Sequence, residues 1–299
     1  MRAQASTDGA APPESSFWIR SLPRLPWGCL YALATGLTFI VSRVVRYRRS
    51  VVDRNLARAF PGIDATQRRR WSQQHYAGML DMIIEVIKIP SLTADDLRRR
   101  VRFVNLELLQ GSLAAGRPVL GVAAHQCNWE WILQALAVEL GFPIDVAYKP
   151  LKDRWSERQF LALRSRLGCR MVPAKSLLAE VIRLRQQVRA IMMVADQEPV
   201  TAERKHWLKF LGTDTAFYPG AEDIVRSMHF EAVFVGMRRV SRGHYEVFFE
   251  PLARAHEPLL PGEFTTRYAH AVERQVLAAP PDWLWSHRRW KLKKPFYTA

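Results

Sequence analysis

Cysteine is scarce in this chain. The three present, Cys29, Cys127 and Cys169, share no paired spacing, which excludes a disulfide framework and a metal knuckle and fits a reducing compartment. No G-x-S-x-G elbow occurs, so the sequence offers no serine nucleophile of the α/β-hydrolase kind. No second His or Cys stands near the first at ligand spacing, so neither a metal nor another cofactor is expected. There is no internal repeat. Acidic residues are also few, 28 Asp and Glu against 44 Lys and Arg, for a formal net charge of +16 over 299 residues. A field of that sign attracts nucleic acid, anionic lipid head groups or an acidic carrier protein. The cations are spread along the chain without a zinc-finger or RNA-binding aromatic signature, so nucleic acid is not an expected partner.

What the chain does carry is an apolar run at residues 25–45, LPWGCLYALATGLTFIVSRVV. About 20 helical residues cross a hydrocarbon core of roughly 30 Å, so this run predicts a transmembrane or deeply inserted helix. A buried soluble helix is the alternative, because the stretch is only marginally long enough. Trp27 and Tyr31 suit an interface, and Arg43, Arg46, Arg48 and Arg49 outweigh Arg20 and Arg24 on the other flank, which places the main domain in the cytoplasm. Residues 1–16 are small, polar and Pro-containing, with no basic region leading into an apolar core, and read as a disordered lead. The division is then a lead at 1–24, an anchor helix at 25–45 and one main domain at 46–299.

Within that domain, residues 53–89 read as helices broken at Pro61-Gly62, with Asp64 or Thr66 opening a long amphipathic run that ends at Pro90. Residues 93–113 continue as helix, and the basic run from Arg98 to Arg102 reads as a solvated face. Strands are expected at 119–124, 144–148, 170–172 and 189–195, with helices between them. Two later strands, 231–238 and 244–249, form a hairpin, and 261–277 is a helix. This alternation predicts an α/β fold, a mainly parallel central sheet flanked by helices. Ligands of such sheets bind where the strand-end loops converge. His125 and Asp196 fall at two strand ends.

The stretch PVLGVAAHQCNWEW at 118–131 organises the rest. A buried strand stops at His125, and helical spacing begins at Asn128, which can cap the helix. Within one helix, a spacing of five would set His125 and Glu130 about 140° apart. With His125 in the turn and Glu130 in the first helical turn, the carboxylate can swing back to the imidazole. The expected pair leaves one ring nitrogen free to take a proton from a hydroxyl attacking an activated acyl group. A chance spacing is the competing reading, and acylation of Cys127, inside the same stretch, is another.

His125-Gln-Cys-Asn-Trp-Glu130 matches H-x4-D/E. It is joined by R-N-L-x-x-x-F-P at 54–61, Arg164 before Gly168, the pair Asp196-Gln197, and the closing Trp283-Leu-Trp-Ser-His-Arg-Arg-Trp-Lys291. With these motifs in order over about residues 25–295, the chain resembles the bacterial lipid A biosynthesis (late) acyltransferases of the lysophospholipid acyltransferase superfamily. The resemblance implies O-acyl transfer from an acyl thioester, carried by acyl carrier protein, to a hydroxyl of a membrane glycolipid, a lipid A precursor. An acidic carrier agrees with the charge of +16.

His125 is then the expected general base and Glu130 its orienter. Arg164 is expected to contact a phosphate or the developing oxyanion, a structural ion pair being the alternative. Asp196 and Gln197 shape the substrate site, with Asn128 as a further contact. Residues 206–212, HWLKFLG, resemble the family's F-x-G segment, so Phe210 and Gly212 are expected near the acyl site, against an ordinary loop. Trp283, Trp285 and Trp290, among His287, Arg288, Arg289, Lys291, Lys293 and Lys294, suit a membrane interface rich in anionic lipids. The implied location is the bacterial inner membrane, single-pass or monotopic, with the active site facing the cytoplasm. Two alternatives remain at this point: another lipid acceptor such as a lysophospholipid, and a non-enzymatic, membrane-anchored basic scaffold.

Overall fold

The computed structural model describes residues 21–200 and 204–294. Most of the expected lead, residues 1–20, lies outside the described residues. The end of that lead is ordered instead: Leu22–Arg24 forms a 3-10 turn with Pro23 buried. Lys88 Nζ and Ser91 Oγ both donate to the Pro23 carbonyl, each at 2.6 Å.

The domain is α/β, as its alternating pattern predicts. Seven strands form one sheet: β1 (Val101–Phe103), β2 (Val119–Ala123), β3 (Ile144–Tyr148), β4 (Arg170–Pro173), β5 (Ala190–Val194), β8 (Glu231–Ser241) and β9 (His244–Ala253). Their spatial order is β1-β9-β8-β2-β5-β3-β4, and every pairing is parallel except the β8–β9 hairpin. The three-residue edge strand β1 lies inside a stretch expected to be helical. Its Val101 is held in place from the tertiary side, opposite Tyr245 of β9.

Local chemistry starts the helices where the sequence has short polar side chains. Asp64 accepts from Gln67 N at the head of the helix Ala65–Lys88, Thr93 and Asp96 form a reciprocal capping box before Ala94–Arg100, and Asn128 accepts from Trp131 N at the start of Trp129–Glu139. In chain order the helices are α1 (Trp27–Phe39), α2 (Arg49–Ala59), α3 (Ala65–Lys88), α4 (Ala94–Arg100), α5 (Glu107–Ala114), α6 (Trp129–Glu139), α7 (Arg154–Ser165), α8 (Leu177–Arg183), α9 (Gly220–Met228) and α10 (Glu263–Ala278).

β2 sits at the centre with all five residues buried, which is why it reads as a continuous apolar run rather than an alternating one. Its partner β5 runs in register, Ala123 opposite Val194. The residues two positions beyond, His125 and Asp196, therefore leave neighbouring strands side by side.

Residues 206–217 form a separate two-stranded hairpin, β6 (His206–Phe210) with β7 (Thr213–Phe217). Leu211 and Gly212 at its tip both have positive φ, 48° and 71°, the geometry of a two-residue turn that follows strand twist. Phe210 is buried, its ring edge-on to Phe217 and Trp283.

α1 packs Leu30 and Ala34 against Leu80 and Ile84 of α3, while Leu33, Phe39, Ile40, Val44 and Val45 are exposed. Polar ties fix its inner side to the domain: Tyr31 Oη donates to Glu85 at 2.9 Å, and Arg242 Nη2 donates to the Tyr31 carbonyl at 3.0 Å.

The closing segment departs from expectation. Trp283 and Trp285 are buried inside the domain rather than set at a surface, and so is Arg289. Each indole finds an internal acceptor: Trp283 Nε1 at Asp196 (2.7 Å), Trp285 Nε1 at the Pro280 carbonyl (2.6 Å), Trp290 Nε1 at Thr215 Oγ1 (2.8 Å). An amphipathic ring suits an interface only while its polar edge has no partner inside. Lys291, Lys293 and Lys294 are exposed.

Candidate active site

At the ends of β2 and β5, His125 Nδ1 and Asp196 Oδ1 are 2.6 Å apart. Asp196 Oδ2 accepts from the His125 backbone N–H at 3.1 Å and from Trp283 Nε1 at 2.7 Å. The carboxylate is 2% exposed. Burial works to raise its pKa, but the His125 ring, the Trp283 indole N–H and the His125 amide outweigh it and hold the group below the ordinary carboxylate range. An ionised Asp196 keeps the proton on Nδ1 and leaves Nε2 with its lone pair, 3.2 Å from Gln197 Nε2. Trp129 fixes the ring from one side, edge-on at 4.9 Å between centroids.

Glu130 is not the partner of His125. As the second residue of α6 it turns toward α7, where Arg164 binds it through both nitrogens, Nε to Oε2 at 2.9 Å and Nη2 to Oε1 at 2.5 Å. The expected swing back to the imidazole fails because Asp196 reaches that nitrogen from the adjoining strand, and because a guanidinium fork claims both oxygens of Glu130. The sequence did place Asp196 at a neighbouring strand end. Spacing along the chain favours Glu130, whereas the contact with Asp196 runs across the sheet, between the ends of two adjacent strands.

Beside His125 opens a cavity of about 280 Å³. Its polar mouth has His125, Glu130, Arg164, Lys149 and Gln197, and its walls are apolar, with Ile132, Leu133, Leu136, Val146, Met192 and Val235. Gly121 of β2 lines it as well, and a Cβ there would run into Met192 and Val235. The absent side chain lets Met192 and Val235 pack directly onto the strand backbone at the cavity wall.

Three other candidates lie elsewhere. Phe210 and Gly212 are absent from the cavity wall; Phe210 instead backs Trp283, which in turn holds Asp196. Asn128, expected to touch substrate, is fully buried and committed twice: Oδ1 caps α6, and Nδ2 donates to Glu85 Oε2 at 2.7 Å. Glu85 also accepts from Tyr245 Oη at 2.8 Å, and burial raises its carboxyl against the pull of those donors. Cys127 is buried, and burial pushes its thiol well above the usual range, the opposite of what a nucleophilic cysteine needs.

Two further histidines flank the site. His75 on α3 and His287 are both held down to about 4, chiefly by burial. His287 lies close enough to feel both Asp196 and His125. Among the described residues, no three His, Cys, Asp or Glu side chains cluster in a way that could hold a metal ion.

The sequence profile of the bacterial lipid A biosynthesis acyltransferases matches residues 16–292. Relatives include a lipid A biosynthesis acyltransferase of Haemophilus influenzae, 20% identical over 275 residues that span 90% of this chain and 84% of that protein. The lipid A biosynthesis palmitoleoyltransferase of Escherichia coli is 21% identical over 271 residues, 90% of this chain and 87% of its own. A match over nearly the whole chain sets aside the scaffold reading: the chain is an acyltransferase and belongs to the bacterial lipid A biosynthesis acyltransferase family.

Proposed function

We propose that this enzyme moves a fatty acyl chain from acyl carrier protein to a hydroxyl of a lipid A precursor, with His125 as general base and Asp196 as its orienter. The observation that carries the reading is an imidazole whose Nδ1 is held by a buried carboxylate and whose Nε2 meets, among the described residues, only the Gln197 side-chain amide, at the mouth of an apolar cavity. The acyl chain lies between β2, β5 and α6 with its thioester carbonyl at the mouth. The acceptor hydroxyl displaces the Gln197 amide from Nε2 and attacks that carbonyl, its proton passing to Nε2. The tetrahedral intermediate collapses with cleavage of the C–S bond, and Nε2–H returns the proton to the leaving thiolate. Atoms and charge balance without an acyl-enzyme.

Arg164, fixed by Glu130, faces the mouth with a quarter of its side chain exposed (24%). It supplies positive charge near the developing oxyanion or an anionic part of the donor. Lys149 at the same mouth and the net charge of +16 favour an acidic donor protein. The exposed apolar side of α1 supports a monotopic seat in the bacterial inner membrane with the site facing the cytoplasm. Its inner side is occupied by α3 and Arg242, which carry Asp81 and Glu85 with them, and full insertion would bring those charges into hydrocarbon.

The test is transfer by the purified protein with acyl carrier protein, coenzyme A and small-thiol donors, with products read by lipid mass spectrometry. Carrier-dependent acylation of the glycolipid that disappears in His125→Ala is the expected result. Equal rates with all donors would refute the carrier assignment, and full activity of His125→Ala would refute the base.

A further inference from the structure

The R-N-L-x-x-x-F-P stretch lines no part of the cavity described above, and neither do Arg288, Arg289 and Lys291 near the end of the chain. The fold joins the two across more than two hundred residues. Asn55 Nδ2 donates to the carbonyls of Trp285 and His287, both at 2.8 Å. Arg48 Nη1 donates to the Ser286 carbonyl at 3.0 Å, and the Arg58 guanidinium stands over the Trp290 ring, 5.8 Å from its centroid. Between α2 and this segment lies an open cleft of about 470 Å³, bordered by Val51, Arg54, Asn55, Arg58, Arg288 and Lys291.

Four cations thus face one concavity. Other arginines near the site and the sheet are paired, Arg164 with Glu130, Arg189 with Asp145 and Arg242 with Asp81, whereas the buried Arg289 beside the cleft hydrogen-bonds, among the described residues, only to the Ala216 carbonyl, at 2.7 Å. Among the described residues, Arg54, Arg58, Arg288 and Lys291 have no ion-pair partner. The nearby carboxylates are engaged: Asp53 with Arg49 at 3.8 Å, Glu198 with the Leu292 amide at 2.6 Å. All four are exposed, so solvent screens them, but like charges gathered on one rigid concavity still repel one another, and an anion between them relieves that cost.

We propose that this cleft binds a phosphate group on the head group of the lipid acceptor. Guanidinium forks match phosphate oxygens in pairs, and an ammonium adds a point charge. Placement favours a lipid. The cleft begins on α2, directly after the exposed apolar end of the first helix (Phe39, Ile40, Val44, Val45), so a lipid with its tails at that level presents its head group here. The position also serves the reaction. Arg288 borders the cleft and stands four residues after Leu284, whose N–H donates to the His125 carbonyl at 3.0 Å, so a phosphate held by Arg288 tethers the acceptor on the segment that also holds the His125 turn. That this lipid is the acceptor rests on the acyl-transfer reading, whereas recognition of phosphate does not.

The experiment uses full-length protein with Arg54→Ala, Arg288→Ala and Lys291→Ala. Transfer is followed with a phosphorylated glycolipid acceptor and with its dephosphorylated form. We expect each variant to raise KM for the phosphorylated acceptor about tenfold, the loss of one charge-assisted hydrogen bond. KM for the dephosphorylated acceptor and kcat should stay unchanged. An equal rise for both acceptors, or a rise only for the carrier-protein donor, would overturn the proposal. A parallel arm needs no turnover: binding to phosphatidylcholine vesicles with added phosphatidic acid or added phosphatidylserine. Selective loss with phosphatidic acid supports phosphate recognition even if no transfer is seen, and equal loss with both lipids assigns the cleft to general surface charge and refutes it.

Discussion

Asp196→Asn separates the two carboxylates of the site. Asp196 meets three donors, His125 Nδ1 at 2.6 Å, the His125 amide at 3.1 Å and Trp283 Nε1 at 2.7 Å. An asparagine has one oxygen to offer. Two of those donors, the backbone amide and the indole, are fixed, so Oδ1 turns to them and Nδ2 faces the ring. The imidazole must then accept at Nδ1 and carry its proton on Nε2, where the lone pair is needed. Removing the orienter's charge and inverting the tautomer costs about 10³–10⁴-fold in kcat, ~4–5.5 kcal/mol of barrier. KM should hold, because the cavity wall is untouched. Loss of charge-assisted bonds to a buried group lowers stability by about 1–3 kcal/mol, so the thermal midpoint must be followed alongside single-turnover transfer from labelled acyl carrier protein. Glu130→Gln gives the contrast: it loosens Arg164, and the expected result is a higher KM with kcat down by at most about 10²-fold. If Asp196→Asn keeps its rate within about tenfold while Glu130→Gln loses ~10³-fold, the orienter is Glu130 after all and the assignment fails.

Gly121→Leu fills the floor of the cavity, where even a Cβ meets Met192 and Val235. Each methylene shut out is worth ~1–3 kcal/mol, so long-chain donors should lose kcat/KM while short-chain donors keep theirs; equal loss across chain lengths would mean that the acyl chain lies elsewhere. His75 is held down to about 4 from 6.5, chiefly by burial. The fold therefore favours the neutral ring: its contribution is complete above pH 6.5 and is lost as pH falls toward 4, about 3 kcal/mol in all. His75→Gln should flatten the fall of the denaturation midpoint across that window, and an unchanged slope would refute the role. Phe39→Asp with Val44→Asp removes apolar surface that is 64% and 67% exposed. Vesicle partitioning should weaken by about tenfold per site, and unaltered sedimentation with vesicles would move the membrane contact away from α1.

The sheet was legible because its inner strands are short apolar runs. Val119–Ala123 and Ala190–Val194 need burial on both faces, and caps such as Asn128 and Thr93 mark where helices begin. The hairpin at 206–217 and the edge strand Val101–Phe103 were hidden, since mixed polar residues pair there only because the rest of the fold holds them. The same division runs through the site. His125 could be picked from its own surroundings, where an apolar strand stops. Its partner could not: the distance that matters runs across the sheet, from the end of β2 to the end of β5, and Glu130, near in sequence, is drawn off by an arginine 34 residues away. The tryptophans of the tail misled for a related reason. Aromatic and basic composition signals an interface only while the indole N–H groups lack internal acceptors, and those acceptors are far off in sequence.

One physical consequence follows from where those acceptors lie. Trp283 donates to Asp196, Leu284 N to the His125 carbonyl at 3.0 Å, and the Asp282 carbonyl accepts from Cys127 N at 3.0 Å, so the turn carrying His125 is pinned from the closing segment. That segment is gripped in turn by Asn55 of α2, by His75 of α3 and by Thr215 of the hairpin. A carboxylate only 2% exposed needs donors to stay ionised, and one of the three comes from a residue 87 positions later. The surroundings of His125 are therefore complete only with the closing segment docked, through contacts of long sequence separation, 232 residues for Asn55 with His287, which carry a high loop-closure cost. Loosening any of the three grips should reach His125 through Asp196, with no change in the cavity wall.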